Sequence, residues 1–327
     1  MNKKWITLLF SFSLCFCMSC SDSESDKKEE GKVEEEKPVT VLSKTVPLAD
    51  PYILVHDSLY YIYGTNVGTG FDVYYSKDLE YWERASALSL SHANSYGESM
   101  FWAPEVYYVE KDKKFYMFYS TEEHICVATA DSPLGPFKQD EHKPIREEKS
   151  IDTSVFFDED GKAYLYFVRF NDGNVIWCAE LKEIKEETLT QCFKAEEPWE
   201  LVLPKVVEGP SVFKQNGVYY LIYSANGYTS QDYAVGFATS DSPFGPWKKY
   251  EGNPVLHKCD GLVGVGHGAP FVDMEGKMRY VFHAHKSESE IHPRNSFVVD
   301  MFVKDSIVSL GGNIVRPMVV DRLPSGK

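Results

Sequence analysis

Basic residues are in deficit in this 327-residue chain, in which 34 Lys and Arg stand against 49 Asp and Glu and give a formal net charge of −15. Nucleic-acid phosphates bind basic surfaces, and this acidic excess argues against such a surface, so nucleic acid is not expected. A neutral or weakly charged partner is favoured. Methionine is also scarce, with 8 residues beside 21 Tyr and 20 Phe, and this composition favours sheet over helix. The longest apolar run, residues 5–18, is too short to predict a membrane-spanning helix.

Cysteine is sparse as well, and three of the seven lie in the first 20 residues. The other four show neither a C-x-x-C spacing nor a zinc pattern, which argues against a redox or zinc motif. Each lies beside apolar residues, so buried free thiols are predicted at Cys126, Cys178, Cys192 and Cys259. A disulfide between Cys178 and Cys192 remains the open alternative.

The N-terminus has the pattern of a secretion signal. Lys3 and Lys4 precede the apolar run, which ends at Ser19-Cys20, a small residue followed by cysteine. This resembles a bacterial lipobox and predicts a lipoprotein signal peptide at 1–19, with Cys20 as the lipidated residue. The acidic stretch at 20–38 reads as a disordered linker and resembles the export signal of Bacteroidetes surface lipoproteins. The expected location is therefore the outer membrane, facing the periplasm or the cell surface, with the lipid anchor as the sole membrane contact.

One sequence unit recurs five times between residues 39 and 327. It consists of a short strand, opened by proline in every unit but the third, then a polar turn and an aromatic strand. Asp-Gly and Asn-Gly turns between alternating apolar runs are strong hairpin signals. The repeats cover 50–63, 103–119, 154–168, 209–223 and 269–283. The period of roughly 50 to 60 residues suits a four-stranded blade, so an all-β, five-bladed β-propeller is predicted as one domain over 39–327. A two-sheet sandwich is the alternative, but it does not explain the duplicated Asp-Ser-Pro-x-Gly-Pro-aromatic segments at 131–137 and 241–247.

Three acids recur near the start of the repeated unit. Asp50, Asp152 and Glu208 belong to the first, third and fourth units, and they are expected at equivalent positions facing one funnel. Converging carboxyl groups are the groups that acid/base hydrolysis of a sugar linkage requires. The pattern therefore predicts a glycosidase site, although any single Asp in so acidic a chain would be read as a solvated side chain.

The same residues carry a family resemblance. Ala-Asp-Pro at Asp50, Trp-Ala-Pro-Glu at Trp102, Ile-Asp-Thr-Ser at Asp152, Glu-Gly-Pro at Glu208 and Gly-His-Gly at His267 occur in an order that resembles glycoside hydrolase family 43. The similarity spans 46 to about 303. It implies a five-bladed propeller with Asp50 as general base, Glu208 as general acid and Asp152 as the residue that tunes the pKa of the acid. An inverting enzyme of this kind needs its two carboxyl groups about 6.5–9.5 Å apart.

Three further residues are predicted to bind substrate. Trp102 is either a sugar-stacking platform or a blade-packing residue. His267 lies between two glycines that allow close backbone approach. Arg294 matches a late arginine that contacts substrate in the family, and the alternative is an exposed loop residue. Glu105 lies deeper in its unit and is a weaker candidate.

A structural calcium ion, held through water near His267, is the one cofactor that the resemblance suggests. A single histidine is a poor calcium site, since that ion prefers oxygen ligands. His283 and His285 share a strand face and could suggest zinc with His267, but no carboxylate or cysteine stands at a suitable spacing.

The resemblance implies an exo-acting, inverting glycoside hydrolase that acts on oligosaccharides or polysaccharide side chains from plants. The expected sugar is terminal α-L-arabinofuranose first and β-D-xylose next, with an exo-β-galactosidase as the third choice. A non-catalytic carbohydrate-binding propeller and a retaining enzyme or phosphorylase on the same fold are the rivals. The retaining type carries Asn-Asp-Pro-Asn near the start, and here the match stops at Asp50-Pro51.

Overall fold

The computed structural model describes residues 39–203 and 205–323. The predicted signal peptide at 1–19, the lipidation site Cys20 and the acidic linker at 20–38 lie outside these described residues. Within them the chain is almost entirely β, as the composition predicts. Its helices are three short 3₁₀ turns, at His92–Asn94, Glu186–Thr188 and Pro198–Glu200. No helix in the described part is long and apolar enough to cross a membrane.

The strands form successive antiparallel sheets along the chain. The first sheet contains β1 (Val41–Thr45), β2 (Ala49–His56), β3 (Leu59–Thr65), β5 (Val73–Ser76), β6 (Tyr81–Arg84) and β23 (Met318–Val320), with a small side sheet of β4 (Gly70–Phe71) and β7 (Leu90–Ser91). The second contains β8 (Trp102–Val109), β9 (Lys114–Thr121) and β10 (His124–Ala130). The third contains β11 (Ser150–Phe157), β12 (Ala163–Phe170), β13 (Asn174–Glu180) and β14 (Thr190–Phe193). The fourth contains β15 (Val207–Gln215), β16 (Val218–Ala225), β17 (Ala234–Ser240) and β18 (Lys248–Lys249). The fifth contains β19 (Gly266–Val272), β20 (Met278–Ala284), β21 (Asn295–Lys304) and β22 (Ile307–Val315).

These sheets have the arrangement of a β-propeller, in which four blades are distinct. The strand that begins the repeated unit is called the first strand of its sheet, and these strands are β2, β8, β11, β15 and β19. Each contacts the first strand of the next sheet, and β19 contacts β2. The ends of the described chain meet in the first sheet, because β23 pairs antiparallel with β1 and parallel with β6. This pairing ties the last strand to the first blade and covers the side of β6 that β5 leaves free.

The repeated aromatic strands pack between neighbouring sheets. The hydroxyl of Tyr63 in β3 donates to the carbonyl of Pro133, and that of Tyr166 in β12 donates to the carbonyl of Pro243. Both prolines belong to the duplicated Asp-Ser-Pro-x-Gly-Pro segments, so each segment fastens its blade to the preceding one. A buried tyrosine needs such a partner because an unpaired hydroxyl is costly away from water.

All four cysteines in the described part of the chain are free. Cys126 and Cys178 are buried, while Cys192 and Cys259 are partly exposed. Free thiols are confirmed, and the Cys178–Cys192 disulfide is absent from the structure.

Candidate active site

A β-bulge interrupts the first strand of every sheet at the same place. The register with the second strand shifts between Ala49 and Tyr52, and at the corresponding point of the other four sheets. One residue in each bulge has a positive φ; these residues are Asp50 (50°), Ala103 (45°), Asp152 (56°), Gly209 (56°) and His267 (38°). A bulge changes the direction in which a side chain points. A positive φ at a non-glycine residue costs free energy, so the direction of Asp50, Asp152 and His267 is obtained at the expense of some folding stability.

The bulges correct one part of the sequence interpretation. Asp50 and Asp152 are the positive-φ residues of their bulges, together with His267. Glu208 is not equivalent to them, because Gly209 occupies that position in the fourth sheet and Glu208 precedes it, as Trp102 precedes Ala103. The three acids therefore converge from two neighbouring positions of the repeat, and all lie inside their strands rather than before them.

One cavity of about 310 Å³ collects all six residues that the sequence predicts for catalysis and substrate binding. It is lined by Asp50, Trp102, Asp152, Glu208, His267 and Arg294, among others. Asp50 and Asp152 are buried, and Trp102, Glu208, His267 and Arg294 are partly buried. The structure thus brings the predicted residues together.

Asp50 is surrounded by cationic and imidazole groups. Arg294 donates from Nη1 to Oδ1 at 2.8 Å and from Nη2 to Oδ2 at 3.4 Å. His267 Nδ1 lies 3.3 Å from Oδ1, and the Asp50 N–H donates to His283 Nδ1 at 3.1 Å. Burial alone would raise the pKa of Asp50, but Arg294 and the two histidines outweigh it and hold the pKa well below the usual range. Asp50 is therefore an ionised carboxylate at neutral pH.

Glu208 has the opposite electrostatic surroundings. Burial, followed by the negative charge of Asp152, raises its pKa to about 7. Asn174 Nδ2 lies 2.9 Å from Oε2, and the Tyr233 hydroxyl donates to Oε1 at 2.8 Å. A substantial fraction of Glu208 is therefore protonated near neutral pH, as a general acid requires.

Asp152 connects the two sides of the cavity. Its Oδ2 accepts the Gly209 N–H at 3.1 Å, next to Glu208, and its own N–H donates to Ser120 Oγ at 3.0 Å. Burial, then the charge of Asp50, raises its pKa to about 7. The pKa values of Asp152 and Glu208 are both raised to about 7, so the two carboxyl groups behave as an interacting pair.

His267 packs against the backbone of the fourth sheet. A Cβ on Gly209 would lie 2.8 Å from its ring, so glycine is required there. The prediction of close approach beside His267 is confirmed, because a Cβ on Gly268 would lie 1.7 Å from the Val281 carbonyl. His283 is fully buried and holds the Asp50 backbone, a role that its strand position alone did not reveal.

Arg294 forms one wall of the cavity with Tyr228. Its guanidinium lies 4.4 Å from the centre of the Tyr228 ring, which is a cation–π contact. Its Nε is buried and has no hydrogen-bond partner among the described residues. The alternative of an exposed surface arginine is wrong.

Calcium receives no direct coordination sphere from these side chains. No cluster of three or more His, Cys, Asp or Glu in the described part of the chain suits a metal ion. The donor set around His267 therefore does not fit a protein-bound calcium or zinc ion, and a calcium ion held through water stays a prediction.

Sequence reasoning missed Asn174 and Tyr233, the two residues that hold Glu208. Asn174 opens β13 directly after the Asp172-Gly173 turn, and Tyr233 is fully buried after a polar loop. Neither position carries a local signal for catalysis, because their contacts with Glu208 join segments that are distant in sequence.

The cavity combines the ionised carboxylate of Asp50 with the carboxyl group of Glu208, a substantial fraction of which is protonated near neutral pH. Two carboxyl groups whose environments push their pKa values apart are the arrangement of a general base and a general acid. Such a pair can activate water and protonate a leaving oxygen in one cavity.

Comparison with known proteins agrees with this chemistry. A model of the family "Glycosyl hydrolases family 43" matches residues 41–300. A crystal structure of an endo-1,4-beta-xylanase from Bacteroides thetaiotaomicron is 54% identical and superimposes with a TM-score of 0.82, over 86% of this chain and 99% of that one.

Curated relatives are more distant. A beta-D-galactofuranosidase from Aspergillus niger is 26% identical over 72% of this chain and 73% of its own length. A xylosidase/arabinosidase from Bacteroides ovatus is 28% identical over 72% of this chain and 85% of its own. The chain spans only 62% and 47% of the lengths of two further matched relatives. The family match covers most of the sequence and the whole cavity, and the chain therefore belongs to the glycosyl hydrolases family 43 and is a glycoside hydrolase.

Proposed function

We propose that this hydrolase removes terminal pentose units from oligosaccharides or polysaccharide side chains with inversion at the anomeric carbon. α-L-Arabinofuranose is the first expected sugar and β-D-xylose the second. The observation that carries the proposal is the contrast between Asp50, whose pKa is lowered beside Arg294, and Glu208, whose pKa is raised to about 7, in the same cavity.

In the proposed reaction Asp50 accepts a proton from a water molecule while the water oxygen attacks the anomeric carbon. Glu208 donates its proton to the glycosidic oxygen as the bond from that oxygen to the anomeric carbon breaks. Asp152 holds the Gly209 N–H beside Glu208 and keeps the pKa of the acid high through its charge. The sugar leaves with the water oxygen on the face opposite to the broken bond, which is inversion. His267, Arg294 and Trp102 position the ring.

The names of the relatives support a furanose or pentose substrate. The Bacteroides ovatus protein is named a xylosidase/arabinosidase, and the Bacteroides thetaiotaomicron structure is titled an endo-1,4-beta-xylanase. The Aspergillus niger relative is named a beta-D-galactofuranosidase, which refers to a furanose ring. The alternative of an exo-β-galactosidase rests on the sequence resemblance. These names are spread over several sugars, so the order of preference rests on the sequence resemblance.

The test is hydrolysis of 4-nitrophenyl α-L-arabinofuranoside, β-D-xyloside and β-D-galactoside by the full chain and by its Glu208→Gln variant. We expect turnover of one pentoside, with the β-anomer of arabinose or the α-anomer of xylose appearing first in the NMR spectrum. First appearance of the anomer with the substrate's configuration would contradict inversion. Cleavage of the galactoside alone would select the alternative.

The proposal also covers the number of blades and the cellular location of the chain. Five blades are supported by the ring of contacts among the five first strands, with the three-stranded second sheet counted as a blade. Lipid anchoring at Cys20 in the outer membrane is supported by the sequence pattern alone, and labelling with a radioactive fatty acid that is absent from Cys20→Ser tests it.

A further inference from the structure

A second cavity of about 520 Å³ adjoins the catalytic one. The two cavities share the side chains of Trp102, Tyr228 and Arg294, which therefore form the wall between them. The rest of its lining comes from four short segments of the chain; these are Pro47 and Ala49, the stretch 65–68, Phe101, and His292 with Pro293. It is larger than the space that holds the three carboxyl groups, so it can accept a ring of similar size.

The chemistry of this second cavity suits a neutral sugar. Among the described residues that line it there is no Asp, Glu or Lys. The charge of Arg294 is already matched by Asp50, so the cavity offers no unpaired cation for an anionic ligand. Trp102 and Tyr228 supply aromatic faces. Thr65 and Asn66 supply uncharged polar groups, of which Thr65 Oγ1 also accepts the Ala103 N–H and Asn66 Nδ2 also donates to Asp72. This mixture is typical of sites for uncharged polar ligands.

The side on which this cavity lies determines how its ligand is connected. Glu208 and Asn174 line the catalytic cavity and not the second one, and the leaving group must depart beside Glu208 because that residue protonates its oxygen. The second cavity instead borders Ala49 and Arg294, on the side of Asp50. A sugar bound there therefore belongs to the part of the substrate that does not leave with the aglycone.

We propose that the second cavity is a carbohydrate subsite for a further neutral sugar attached to the pentose in the catalytic cavity. This proposal rests on the proposed function and deepens it. A substrate that ends in the pentose bound in the catalytic cavity loses that single unit. A substrate in which one further sugar is attached to this pentose loses the two together as a disaccharide.

Gly68 offers a direct way to fill the cavity. A Cβ there meets no atom within 4 Å, and Gly68 has no positive φ, so a side chain can be added without backbone strain. Gly311 in β22 has the same two properties and lies outside both cavities, which makes Gly311→Phe the matched control for Gly68→Phe. Val67→Trp fills the same space from the neighbouring position and serves as a second variant.

The experiment is isothermal titration calorimetry on the full-chain Glu208→Gln variant with arabinose, α-1,5-arabinobiose, xylose and β-1,4-xylobiose. We expect one disaccharide to bind at least tenfold more tightly than its monosaccharide. Adding Gly68→Phe or Val67→Trp should remove most of that advantage, while Gly311→Phe should preserve it. Equal binding of disaccharide and monosaccharide, or a disaccharide advantage that survives both filling variants, would overturn the proposal.

Product analysis separates this proposal from the proposed function. The wild-type chain should release free disaccharide from the matching 4-nitrophenyl bioside in the first turnover, and Gly68→Phe should slow this reaction at least fivefold more than cleavage of the monoside. Cleavage of the monoside together with stepwise loss of single pentoses from the bioside would refute the subsite alone. If no aryl pentoside is cleaved, the proposed function fails, and the calorimetry still decides whether a disaccharide occupies the cavity.

Discussion

Arg294 donates a 2.8 Å hydrogen bond from Nη1 to Oδ1 of Asp50, although 244 positions separate the two residues in sequence. The contact joins a loop of the last sheet to the first strand of the first sheet. It places a fixed positive charge beside the proposed base, and it orients the same guanidinium toward both cavities. The electrostatics of the site therefore depend on closure of the propeller.

Asp50→Asn should reduce kcat by at least about a thousandfold, because an amide cannot accept the proton of the attacking water. The loss should be similar for 4-nitrophenyl and 2,4-dinitrophenyl glycosides, since both need the water to be activated. Steady-state kinetics with the two substrates measure it. Asn keeps an acceptor for Arg294, and circular dichroism should confirm that the variant folds. A loss confined to one leaving group would contradict the role of Asp50.

Asp152→Asn should shift the alkaline limb of the kcat/KM–pH profile to lower pH. The Asp152 charge raises the pKa of Glu208, so its removal lets Glu208 lose its proton at a lower pH than the wild-type value of about 7. We expect a shift of about half a unit to one unit, together with a lower maximum rate. Asp273→Asn removes a buried carboxylate outside the catalytic cavity and should leave the limb in place. An upward shift in Asp152→Asn would refute the assignment.

Tyr233→Phe should move the same limb in the opposite direction. The Tyr233 hydroxyl stabilises the charged form of Glu208 by a hydrogen bond, so its loss raises the pKa of Glu208. The rate should fall because the carboxyl group is less well held. Tyr166→Phe is the matched control, since its hydroxyl binds the Pro243 carbonyl instead. The pH profile distinguishes a positioning role from a loss of stability, which would leave the limb unmoved.

Glu105→Gln should change how stability depends on pH. Glu105 binds the Tyr107 hydroxyl below the site, and burial raises its pKa to about 8. The folded chain therefore keeps this proton between about pH 4.5 and 8 while the unfolded chain releases it, so Glu105 makes the wild type lose stability as pH rises. The free energy of unfolding of Glu105→Gln, relative to wild type, should increase by on the order of 2–4 kcal/mol from pH 5 to pH 8. Urea unfolding at the two pH values measures this, and an unchanged difference would show that Glu105 ionises normally.

The repeat predicted from sequence accounts for most of the fold and for the membership of the site. Its first strand, turn and aromatic strand recur as β2–β3, β8–β9, β11–β12, β15–β16 and β19–β20, and every first strand except β11 contains a proline. Because each repeat places its first strand next to its neighbours, acids that recur near the strand start had to converge. This reasoning located Asp50, Asp152 and Glu208 without any contact information.

The sequence could not reveal the bulges or the partners that control the charges. A bulge depends on the pairing of two strands, so the sequence does not show it. The offset of Glu208, in contrast, follows from aligning Asp152-Thr-Ser-Val-Phe with Gly209-Pro-Ser-Val-Phe and was overlooked. Tyr233 and Asn174 meet Glu208 only through tertiary packing, and His283 reaches the Asp50 backbone in the same way. The second cavity is lined by segments of the first, second, fourth and fifth sheets, so no single stretch of sequence predicts it.

The most direct test of the account compares Glu208→Gln with wild type on two glycosides of the same sugar that differ in leaving group. A 2,4-dinitrophenyl group departs without protonation, whereas a methyl or sugar oxygen needs the proton of a general acid. The account predicts that the variant keeps activity within about tenfold on the dinitrophenyl glycoside and loses at least about a thousandfold on the unactivated one. Equal losses on both substrates, or near-native activity on both, would contradict the assignment of Glu208 as the acid.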